Sequence, residues 1–135
     1  MAQSKDSRPA TIASPRLRLA ARATLLLEVV CIVWLASFGH IQQMQVQSIL
    51  MFGDKAAHML AFLVAGLTAS LASRSPIWSA LVLSGVAGGV EILQAFVPGR
   101  TTSAFDFAAS LVGVAAGLAL GAAFWPLLLK RRNPT

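Results

Sequence analysis

Asp54, Lys55 and His58 open one apolar stretch of the chain, Glu91 and Gln94 close the next, Arg100 follows in a short connection, and Asp106 and Ser110 begin a third. If these stretches are helical, Asp54 and His58 stand four residues apart and Glu91 and Gln94 three, so each pair shares a face. An imidazole beside a carboxylate exchanges protons near neutral pH. A lysine with an arginine holds phosphate or carboxylate, the arginine through two parallel bonds. The set therefore suits anion binding, or acid–base work in which Asp54 or Asp106 orients His58 and Glu91 is the buried acid or base. No nucleophile stands out, since Cys31 is remote and Thr101, Thr102 and Ser103 show no nucleophile elbow. Binding thus ranks above catalysis. No cofactor is expected. Asp54, His58, Glu91 and Asp106 form a subordinate candidate for a divalent ion, but no HExxH spacing is present and Lys55 and Arg100 compete for the carboxylates.

The elements that must position these groups are hydrophobic. Of 135 residues 56% are hydrophobic and only 12% charged, with no Tyr and a mean hydropathy of +0.71, whereas soluble domains carry about 25% charged residues. This is a membrane composition, and the expected environment is a lipid bilayer. The net charge of +6 resides mostly in the two tails without aromatic interleaving, which points away from nucleic acid and toward membrane orientation. The single cysteine, Cys31, permits no intramolecular disulfide and reads as a small buried hydrophobe.

The expected architecture is an all-α membrane protein with four transmembrane helices in an antiparallel bundle. Residues 1–22, broken by Pro9 and Pro15, read as a mobile basic tail, residues 23–129 as the membrane domain and residues 130–135 as a second basic tail. The spans are expected at 23–38, 55–73, 76 to about 97, and 104–129, each near the roughly 20 residues that cross the hydrocarbon. Glu28 inside the first span reads as a snorkelling group or a helix contact. The glutamine-rich segment 40–52 fits neither helical nor strand periodicity and reads as an interfacial loop or lasso. Ser75 and Pro76 form an N-cap and first helical position, while Pro98 and Gly99 stop the third span.

Nine basic residues then fall on the side of the termini against two, Lys55 and Arg100, on the other. The excess puts both termini in the cytoplasm and gathers Asp54, Lys55, His58, Glu91, Gln94, Arg100 and Asp106 at the outer face. Polar groups in a span face the bundle interior or a wet cavity. Along the fourth helix Asp106, Ser110, Gly113, Gly117 and Gly121 form a small-residue stripe that admits a close neighbour.

Each group also has a purely structural reading. Asp54 can cap the second helix, Ser103 with Asp106 can form an aspartate version of a capping box, and Lys55, Arg100 and His58 can be interfacial anchors. Glu91 resists this, because it lies below the interface and needs a partner, for which Arg100 and Lys55 are the obvious choices.

In this order, Asp54-Lys55-x-x-His58, Glu91-x-x-Gln94, Pro98-Gly99-Arg100 and Asp106-x-x-x-Ser110-x-x-Gly113-x-x-x-Gly117 resemble the VanZ-like family of small bacterial membrane proteins, over roughly residues 54–121. The family usually has Asn where this chain has Ser110. The resemblance implies an integral protein of the bacterial inner membrane, in a family associated through its namesake with teicoplanin resistance; it carries over no biochemical activity. Two functions follow as expectations. One is a site for an anionic lipid or cell-envelope glycolipid headgroup at the outer face. The other is a non-catalytic scaffold, alone or as a homo-oligomer, whose Gly113, Gly117 and Gly121 bind another membrane subunit. A transporter ranks third, because four helices make a narrow bundle.

Overall fold

The computed structural model describes residues 13–38, 53–98 and 102–132. The tail before residue 13, the glutamine-rich segment 40–52 and Arg100 lie outside the described residues. Four helices make up nearly everything described: α1 Pro15–Phe38, α2 Asp54–Ala72, α3 Pro76–Gln94 and α4 Ala104–Arg132. All four contain a stretch long and apolar enough to cross a membrane.

Helix starts follow local cap chemistry. Ser75 Oγ accepts from Trp78 N at 3.3 Å with Pro76 at the first helical position, as the sequence predicts. Ser14 Oγ accepts from Leu17 N at 3.2 Å in the same way, so α1 begins at Pro15 rather than at residue 23. Pro15 is a helix starter here because its missing N–H is one that no first turn can satisfy within the helix. At α2 the N-cap is Gly53, with no side-chain cap bond. Asp54 is therefore the first helical residue and not the cap, a position where its charge meets the positive helix end.

α2 touches each of the other three helices and packs most extensively on α4. Small side chains make that contact possible. A Cβ at Gly113 would collide with the Met59 carbonyl oxygen, one at Gly117 would strike the Leu63 carbonyl and lie 2.8 Å from Leu67 N, and one at Gly121 would strike Ser70. From the opposite side a Cβ at Gly66 would lie 2.8 Å from the Val114 carbonyl. The glycine stripe is thus packed against α2 of the same chain.

Around this seam the core consists of Phe62, Ala65, Ala69, Leu83, Ala87 and Val114. Large apolar side chains such as Leu26, Val30, Ile77, Leu81 and Ile92 point outward and are more than half exposed. Such a surface is stable against lipid and costly against water. Glu28 makes a helix contact, accepting from Thr68 Oγ1 at 2.9 Å. Trp125 Nε1 donates to the Leu67 carbonyl and to Ser70 Oγ at 3.1 and 2.9 Å, which fastens the far end of α4 to α2.

The seam makes a prediction. Gly117→Ala should lower stability by about 1–3 kcal/mol through overpacking, while Gly85→Ala, where a Cβ meets nothing within 4 Å, should leave it unchanged or slightly raised; thermal unfolding in detergent measures both.

Candidate functional site

The seam brings the start of α2 against the start of α4, and the end of α3 closes the same corner. His58, on the second turn of α2, directs Nδ1 to Ser110 Oγ at 3.2 Å. Ser110 is 1% exposed and donates its own proton to the Asp106 carbonyl at 2.9 Å. With that proton committed, the hydroxyl is placed to accept from His58 Nδ1. A nucleophilic serine would donate toward the imidazole and face substrate. Ser110 does neither; it fixes the ring.

Glu91 reaches the same ring from α3, with Oε1 3.8 Å from His58 Nδ1, an ion pair whenever the imidazole is protonated. Its other oxygen, Oε2, accepts from Ser103 N at 3.0 Å. Ser103 Oγ in turn accepts from Asp106 N at 3.3 Å and caps α4. In a capping box the third helical residue returns a bond to the cap N–H. Here Glu91 of a different helix supplies that bond, so the capping-box expectation holds for Ser103 but not for the Asp106 side chain.

Asp106 instead faces Lys55, with Oδ1 to Nζ 3.9 Å. Lys55 is 63% exposed at its side chain and Asp106 only 9%, a geometry that contributes little binding energy and leaves the ammonium available. Of the two partners expected for Glu91, Lys55 faces Asp106 instead, and Arg100 lies outside the described residues. Gln94 is 2% exposed, one turn beyond Glu91. Asp54 is half-buried at the start of α2. Gly113, Gly117 and Gly121 hold the two backbones together below the cluster.

Three acceptors are buried without a hydrogen-bond donor among the described residues: Glu91 Oε1 and Asp106 Oδ1 in this cluster, and Glu28 Oε2 on α1. Leaving such an atom unsatisfied costs about 1–3 kcal/mol or more for a charged group. Beside the first lies a cavity of about 270 Å³ between α3 and α4, lined by Gly88, Glu91, Thr102, Ser103, Ala104 and Phe107. Gly88, Thr102, Ala104 and Phe107 escape a reading that looks only for ionisable groups. The available signal is that Gly88 precedes Glu91 by one turn and leaves the cavity wall without a side chain. Among the described residues, no group of three or more His, Cys, Asp and Glu gathers as a metal site requires.

No protein-family model, curated protein or solved structure matches this chain.

The Glu91–Ser103 bond joins α3 to the cap of α4. Glu91→Ala should cost about 1–3 kcal/mol by leaving Ser103 N unpaired, whereas Glu91→Gln, which keeps an acceptor oxygen, should cost less than half of that; detergent melting curves of the two variants check it.

Proposed function

We propose that this chain is a VanZ-like multi-pass protein of the bacterial inner membrane that binds an anionic lipid or cell-envelope glycolipid headgroup at the outer face. The four spans run antiparallel with both termini in the cytoplasm. Support for this orientation comes from the basic-residue excess and from the meeting of the first turns of α2 and α4 with the last turn of α3.

The observation that carries the binding reading is Glu91. A carboxylate with one oxygen bound to Ser103 N and the other lacking a hydrogen bond among the described residues lines a cavity at a helix end. Ligand pockets begin at about 300 Å³, so a cavity of about 270 Å³ suits a headgroup or one sugar ring and no larger molecule. In this reading Glu91 Oε1 accepts from a ligand hydroxyl, while Lys55 and Arg100 hold its phosphate or carboxylate. Their fit differs, since Arg100 offers a planar fork and Lys55 a mobile point charge. His58, held by Ser110, presents its ring to the same corner.

The second reading is a scaffold whose polar cluster is structural. It draws on the bonds that His58, Glu91 and Ser103 make among α2, α3 and α4. A subunit partner would then have to use the outward apolar faces, because α2 occupies the glycine stripe.

Variants separate the two. His58→Ala and Arg100→Ala should insert and accumulate normally yet fail to restore envelope-stress tolerance in a strain lacking the protein. If both instead lose folded protein in detergent unfolding, the cluster is structural and the scaffold reading stands.

A further inference from the structure

A second cavity, of about 250 Å³, lies at the other end of α2, about 20 Å from His58 at 1.5 Å per residue. Its walls are Leu25 and Val29 of α1 and Val82 of α3, its floor is Ala69 of α2, and Arg22 and Trp78 stand at its mouth. Arg22 Nε donates to the Ala72 carbonyl at 3.1 Å, one of the carbonyls that the end of α2 cannot satisfy internally. The bond anchors the guanidinium, and its two terminal nitrogens have no partner among the described residues. Leu25 and Val29 follow Arg22 at three and seven residues, so an apolar stripe leads from the charge along one face of α1. Val82 is 61% exposed and Trp78 68%.

A slot with a guanidinium at its mouth, mostly apolar walls and hydroxyls (Ser73, Ser79) already committed to backbone matches one kind of molecule. We propose that the α1–α3 cleft binds an anionic phospholipid, with its phosphate on the Arg22 guanidinium and one acyl chain along Leu25, Val29 and Val82. Charge complementarity selects the headgroup. Arg22 is the only ionisable residue in the lining, and Arg18, four residues earlier on the same helical face, adds a second positive charge. The nearby hydroxyls do not compete as donors, because Ser73 Oγ and Ser79 Oγ both donate to the Ser75 carbonyl. A planar guanidinium binds phosphate by two parallel bonds, and an interfacial Trp is at home at headgroup depth. The site is independent of the Glu91 cavity, so either can fail without the other.

Native mass spectrometry of the full-length protein in detergent, titrated with phosphatidylglycerol or phosphatidylcholine, tests the assignment. Wild type should retain one phosphatidylglycerol in preference to phosphatidylcholine. Arg22→Ala should weaken retention by at least about tenfold, beyond the roughly fivefold that one basic residue near a charged surface supplies. Val82→Trp, at an exposed wall position where bulk does not disturb the core, should weaken it comparably. Arg74→Ala removes an equal charge from the same end but outside the cleft, and should change retention by no more than that roughly fivefold. Equal losses in Arg74→Ala and Arg22→Ala, equal retention of the two lipids, or no effect of Val82→Trp would each overturn the site. If Arg22→Ala fails to fold by circular dichroism, Val82→Trp and the lipid comparison still decide it.

Discussion

Backbone meets backbone where α4 lies on α2, and the rest of the molecule depends on that approach. Gly113, Gly117 and Gly121 remove the side chains that would keep the helices apart, and Gly66 does the same from α2. In lipid there is no hydrophobic force between apolar helices, so association relies on close van der Waals packing and on polar contacts. The seam supplies the first along its length and polar contacts at both ends. Trp125 bonds Leu67 and Ser70 at one end, and His58 bonds Ser110 at the other. Widening the seam by one methyl group at Gly117 would therefore separate His58 from Ser110 as well as loosen the core.

Polar groups at the His58 end do two kinds of work. Glu91 Oε2, Ser103 and Ser110 are committed to bonds that cap α4 and fix the imidazole. Glu91 Oε1 and Asp106 Oδ1 have no such bonds among the described residues, although both are buried. A fold selected only for rigidity gains nothing from stranding acceptors at about 1–3 kcal/mol each. Glu28 on α1 has the same asymmetry, with Oε1 on Thr68 and Oε2 unbonded among the described residues, so what favours a headgroup site at Glu91 is the cavity beside it.

Much of the architecture was legible before the structure. Long apolar runs, the Ser75-Pro76 start and the small-residue stripe follow from composition and spacing, because each is a local property with a fixed helical consequence. The convergence of His58, Glu91 and Ser110 was also foreseeable from short connections between spans. Pairing was not. That Glu91 would take Ser103 N rather than Lys55, and that Lys55 would take Asp106, depends on side-chain reach across three helices. The Pro15 start was misread because proline breaks helices everywhere except their first turn, and only the neighbouring Ser14 marks which case applies. The two cavities were invisible to motif reading, since they are made by what Gly88 and Ala69 lack rather than by what any residue adds.

The central claim is that the Glu91 cavity holds a headgroup. Lipidomic mass spectrometry of gently purified wild type, compared with Arg100→Ala and with Gly88→Leu, tests it most directly. A Cβ at Gly88 meets only Phe107 Cε2, at 3.8 Å, so the larger side chain should fill the cavity without disturbing the seam. The account predicts a specific anionic lipid or glycolipid on the wild type that is lost from both variants. An identical lipid set on all three proteins would contradict it.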